Sequence, residues 1–122
     1  MSRILISIKP AYVDKILCGE KKYEYRKVVA RKDISSIIIY ETTPIKRVVA
    51  EAEILDIIML PPERLWEETY YSSGISKSFF DVYFSGCDVA YAYKLGLITV
   101  FENKKNLSDY GIKCAPQSFV YV

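Results

Sequence analysis

The sequence predicts an α+β fold: a small, mostly antiparallel β-barrel of five to six strands with short flanking helices. Three observations carry this. The chain has 122 residues, enough for one domain and one core. Its apolar residues recur with period two in most segments and with helical spacing in only a few short ones. No regular strand–helix–strand rhythm repeats along it, so a doubly wound parallel sheet is not expected.

Arg3 to Ile8 alternates, with Ile4, Ile6 and Ile8 on one side and Arg3, Leu5 and Ser7 on the other, which reads as a half-buried strand. Pro10 suits the first turn of a helix. Tyr12, Val13, Ile16 and Leu17 then fall on one helical face, and Gly19 supplies the stop. Tyr23 and Tyr25 alternate with Lys22, Glu24 and Arg26 in a second strand. Ser35 to Tyr40 and Arg47 to Ile57 are β-branched strands separated by a turn at Thr43 and Pro44. Pro61 and Pro62 open a helix that packs Leu65 and Trp66 inward. Ser76 caps another helix carrying Phe79, Phe80, Tyr83 and Phe84. Val89 to Phe101 returns to strand character, Leu107 to Gly111 makes one helical turn, and Phe119 to Val122 closes the chain.

Composition excludes several chemistries. There is no histidine, which removes Ser-His-Asp and Cys-His nucleophile pairs, histidine metal sites and histidine pH switches. Cys18, Cys87 and Cys114 are odd in number and far apart, so neither a disulfide framework nor a cysteine metal site is expected. Cys18 sits at a helix C-terminus, where the dipole disfavours a thiolate. All three read as structural, and no cofactor is expected. No run approaches the roughly 20 apolar residues of a membrane span, and the chain reads as cytoplasmic.

Charge is distributed unevenly. Residues 1–50 hold eleven Lys/Arg against five Asp/Glu, a net of +6, whereas residues 51–122 hold six against ten, a net of −4. The basic half, with tyrosines nearby, suits a polyanionic partner; a solvated lysine-rich face is the alternative.

The stretch Gly19-Glu20-Lys21-Lys22-Tyr23-Glu24-Tyr25-Arg26 concentrates the chemistry. Strand alternation puts Glu24 and Arg26 on one face, about 7 Å apart. Lys21 lies at the bend before the strand, from where its side chain can lean over that face. Arginine offers a planar fork for phosphate or a base edge and lysine a mobile charge, while the carboxylate accepts from an exocyclic amine or orients the arginine. A plain Glu24–Arg26 salt bridge with a solvated Lys21 is the other reading of the same spacing. Lys9, Gln117 and Ser118 are further ligand-binding candidates. Lys27, Arg31 and Lys32 are candidates for phosphate contact. Most aromatics must be core, with Tyr40 and Tyr93 singled out as exposed stacking platforms and Tyr40 as a ligand contact.

That stretch matches G-x-K-x-x-E-x-R and resembles the signature of the activating-signal-cointegrator homology (ASCH) family. Ile6-Ser7-Ile8-Lys9-Pro10 is similar to the family's opening, and Ala115-Pro116-Gln117-Ser118-Phe119 to the ending of a subgroup. The resemblance implies a barrel similar to that of the pseudouridine synthase and archaeosine transglycosylase (PUA) domains. It also implies a role in binding RNA or a nucleotide, in a regulatory setting, with Gly19, Lys21, Glu24 and Arg26 at the ligand. The alternative it raises is a hydrolase acting on a modified nucleoside, such as N4-acetylcytidine, or on RNA. Lys21 and Glu24 would then be catalytic. This chain departs from the amidohydrolases in carrying glutamate where they have threonine, so Glu24 could only activate water, with Lys21 steadying the oxyanion. Ligand identity and oligomeric state are not readable from the sequence.

Overall fold

A computed structural model describes residues 2–31 and 33–122. Six strands form one mixed sheet: β1 (Ser2–Ile8), β2 (Tyr23–Arg26), β3 (Ile34–Glu41), β4 (Arg47–Leu60), β5 (Ala90–Lys105) and β6 (Phe119–Tyr121). Helix α1 (Pro10–Leu17) follows β1, and α2 (Pro62–Thr69) and α3 (Lys77–Tyr83) lie between β4 and β5. Short 3-10 turns occupy Tyr70–Ser72 and Leu107–Tyr110. The strand order is β2-β5-β4-β3-β1-β6, and the sheet curls into a half-barrel. Every pair is antiparallel except β1 with β3, where α1 and β2 form the crossover that parallel pairing requires.

The inner face holds the main core. Ile4, Ile6 and Ile8 of β1, Ile37 and Ile39 of β3 and Tyr93 of β5 pack there against Val13 and Ile16 of α1. Each fully buried aliphatic side chain contributes about 1.5–3 kcal/mol relative to exposure. The outer face differs from the half-buried strand expected for β1. Leu5, Ile38, Tyr40 and Val48 are buried there under Leu107, Tyr110 and Val120. The C-terminal turn and β6 cover that face, so β1 and β3 are apolar on both sides, as the runs Ile4-Leu5-Ile6 and Ile37-Ile38-Ile39 allow.

A third cluster joins α2 and α3 to the β2–β5 end of the sheet: Tyr23, Tyr25, Leu65, Phe80, Phe84, Ala90 and Ala92, with Trp66 packed against them. The Ser76 hydroxyl accepts the Phe79 N–H and so caps α3 as the sequence predicts. Among the described residues, no helix is long and apolar enough to cross a membrane.

Candidate functional site

Gly19 ends α1 in the left-handed region, at φ +86°, where glycine alone is unstrained. The Lys21 N–H then returns to the Lys15 carbonyl, 3.0 Å away, which folds the chain sharply into β2. This return lays Lys21 against the interior. Its side chain is 3% exposed, and its ammonium donates to the Ser73 carbonyl at 2.8 Å and stands 3.8 Å from Glu24 Oε1. It also lies 4.9 Å from the centre of the Tyr25 ring and 5.7 Å from that of Tyr12.

Glu24 and Arg26 share a face of β2, as alternation requires. Arg26 donates twice to Glu24 Oε2, from Nε at 3.0 Å and Nη2 at 2.7 Å, and Nη2 also donates to the Ser7 carbonyl at the end of β1. The arginine therefore ties β2 to β1, and both charged heads flank one buried carboxylate. Burial pulls the Lys21 ammonium below the usual lysine range; Arg26 and Lys15 add to this and Glu24 opposes it. Burial likewise pushes the Tyr25 phenol up to about 12, although its hydroxyl is 2.7 Å from Thr69 Oγ1.

The three charged residues line a cleft of about 620 Å³, the size of a small-ligand site. Tyr12 of α1 and Phe79 and Tyr83 of α3 line it as well, with the Phe79 and Tyr83 rings nearly parallel (9°) and their centres 6.5 Å apart. Lys9, Thr42, Thr43 and Gln117 complete its polar part. The Ser7 hydroxyl donates to the Pro116 carbonyl at 2.9 Å and so holds the C-terminal segment that brings Gln117 here.

Of the candidates read from the sequence, Lys9, Lys21, Glu24, Arg26 and Gln117 thus come together. Lys27 is exposed beside them, its ammonium 5.0 Å from the Tyr83 ring centre. Gly19 lies outside this cleft, and Ser118 is exposed and does not line it. Arg31 points elsewhere: it lies 3.4 Å from Asp33 and over the Tyr121 ring. Lys32 lies outside the described residues. Two tyrosine assignments need correction. Tyr40 is 7% exposed in the outer cluster, because the C-terminal segment covers that face of β3. Tyr93 is fully buried, its hydroxyl accepting the Ala30 N–H at 2.9 Å. The aromatic rings that line the cleft are Tyr12, Tyr25, Phe79 and Tyr83 instead. A signal for Phe79 existed: successive helical residues point about 100° apart, so Phe79 and Phe80 cannot both point to the middle of one core face. Cys18 and Cys114 are exposed, and Cys87 is half-buried against the helical cluster.

The model of the ASCH domain matches residues 6–108. The chain belongs to the ASCH family. Its fold agrees closely with the crystal structure of ASCH from Zymomonas mobilis, with a TM-score of 0.88 at 25% identity over 98% of this chain and 87% of that one. A tyrosine-to-phenylalanine variant of that protein gives a TM-score of 0.89 at 24% identity, over 100% of this chain and 91% of that one. Over 92 residues this ASCH domain is 29% identical to an ASCH domain-containing ribonuclease of Zymomonas mobilis, covering 75% of this chain and 62% of that protein. It is also 28% identical over 120 residues to large ribosomal subunit protein uL22 of Ureaplasma parvum serovar 3. That match covers 98% of this chain, which spans 39% of the length of that relative.

Proposed function

We propose that this ASCH domain binds RNA by seating a nucleotide in the cleft of Lys21, Glu24 and Arg26, and that it serves as a regulatory RNA-binding factor. The observation that carries this reading is the pairing of two cationic heads with one carboxylate in the interior, opening onto an aromatic wall. Phosphate is met by Arg26, Lys21 and the rim lysines Lys9 and Lys27, and a base stacks on Phe79 and Tyr83. Gln117 offers a donor and an acceptor to a base edge.

The test is a salt-series anisotropy titration with short labelled single-stranded RNA, comparing wild type with Lys21→Met and Arg26→Gln. Binding that weakens steeply with salt and is lost in both folded variants is expected. Undiminished binding by both variants would move the site elsewhere.

Two observations favour RNA cleavage as a second reading: a ribonuclease is among this domain's relatives, and Lys21 is an amine whose proton is loosened by burial. Unprotonated Lys21 would take the 2′-hydroxyl proton. The 2′-oxygen would attack phosphorus and the P–O5′ bond would break, leaving a 2′,3′-cyclic phosphate and a 5′-oxygen that takes up a proton. Arg26 would balance the charge developing on phosphorus. Cyclic-phosphate products that appear with wild type and vanish with Lys21→Met are the expected signature; intact RNA after prolonged incubation would remove this reading and leave binding alone.

A further inference from the structure

Lys21 has a hollow on each side. Behind it, away from the cleft, a second cavity of about 460 Å³ lies between the end of α1, the start of β2 and the β4–β5 pair. Ile16, Leu55, Leu95 and Ile98 give it an apolar lining. Tyr23 and Tyr71 bring their hydroxyls to it, 3.1 Å apart. Tyr71 remains 67% exposed. Lys22 and Lys94 flank it, both exposed, and neither makes an ion pair among the described residues.

The nearby acids are placed differently. Among the described residues, no carboxylate lines the cavity. Glu53 accepts the Leu97 N–H, and Asp56, opposite Lys94 in the β4–β5 register, accepts the Ile57 N–H. An apolar hollow with an exposed phenol and two unpaired cations has the character of a nucleotide site: a face for a base and charges for a phosphate.

We propose that this hollow is a second nucleotide subsite, which takes the residue next along an RNA strand whose neighbour occupies the cleft. This rests on the RNA-binding reading above. Lys21 is the partition between the two, so the strand passes over the bend at residues 19–22, where Gly19 leaves open space in place of a side chain. Tyr71 and the apolar lining meet the base, and Lys22 and Lys94 meet its phosphate.

The experiment compares uridine monophosphate with a labelled 2′-O-methyl octauridylate, which has no free 2′-hydroxyl for cleavage. Wild type, Lys22→Ala/Lys94→Ala and Tyr71→Ala are titrated across a salt series. The double variant is expected to bind the octamer at least about fivefold more weakly, with a salt slope shallower by about 0.7 for each lost phosphate contact. Tyr71→Ala is expected to lose about fivefold by removing a stacking face. Monophosphate affinity is expected to stay unchanged in both. Octamer binding unchanged in both variants overturns the second subsite and leaves the cleft standing. Equal weakening of monophosphate and octamer overturns it too, because the lysines would then be serving the cleft. A wild type that binds neither probe at low salt overturns both the subsite and the cleft reading. Retained RNA binding together with self-association lost in Leu55→Glu would assign the hollow to protein contact instead.

Discussion

Ion pairs of like chemistry stand in two very different surroundings in this molecule. On α2 and α3, Arg64–Glu68 (3.2 Å) and Lys77–Asp81 (2.8 Å) are helical i,i+4 pairs with every side chain more than half exposed. On β2, Arg26–Glu24 is shorter still at 2.7 Å, but Glu24 is 8% exposed and Lys21, just before the strand, 3%. Water screens the helical pairs, and each contributes about 0.3–0.5 kcal/mol. Burying the β2 charges costs several kcal/mol per ion, a cost that only close, fully hydrogen-bonded pairing can offset. Distance alone therefore says little about what an ion pair does. The helical pairs decorate a fold, whereas the β2 cluster keeps its charges paired in the wall of a cleft.

The sharpest way to break this contrast is Glu24→Ala, which strands two cations against each other. A loss of about 3–5 kcal/mol in urea unfolding is expected; a loss below about 1 kcal/mol would mean that water already screens the cluster as it does the helical pairs. Next comes Gly74→Ala. Gly74 has φ +69°, and an added Cβ would lie 2.6 Å from Lys21 Cβ. The backbone cost alone is about 1–2 kcal/mol, and the displaced Lys21 should titrate by NMR closer to an ordinary lysine. An unchanged Lys21 titration would show that Gly74 does not hold it.

A pH series refines the comparison further. Because the folded pKa of Lys21 is lowered, above that value the unfolded chain binds a proton that the folded chain lacks. Stability from this group therefore rises with pH, by about 1.4 kcal/mol per unit, until the unfolded lysine also deprotonates near its ordinary 10.5. Tyr23 and Tyr25, raised to about 12, act in the opposite sense above pH 10. As pH rises toward the unfolded lysine's 10.5, the thermal midpoint should thus climb more in wild type than in Lys21→Met, and parallel curves would refute the burial argument. The smallest effect is expected from Arg64→Ala and Lys77→Ala, each within about 0.5 kcal/mol by denaturant titration.

Much of the site was legible because it is local. Alternation placed Glu24 and Arg26 on one face, and Gly19 marked the bend that turns Lys21 inward. The degree of Lys21's burial was not legible, since it depends on the Ser73 carbonyl and on Gly74, more than fifty residues away. The tyrosines failed for a related reason. Periodicity tells which residues share a face and is silent on what covers that face. Tyr40 is buried by a C-terminal segment whose own pattern is short, and Tyr93 by the curl of the whole sheet. Strand number and the predominance of antiparallel pairing followed from the sequence. The parallel β1–β3 pair depends on topology, which no local pattern encodes.

The β1–β6 pairing carries a consequence of another kind. Val122 donates its N–H to the Arg3 carbonyl at 3.0 Å, so the chain leaves the fold beside the point where it enters. A unit with neighbouring entry and exit can be spliced into a host polypeptide through two short tethers, and the host need not stretch to span it.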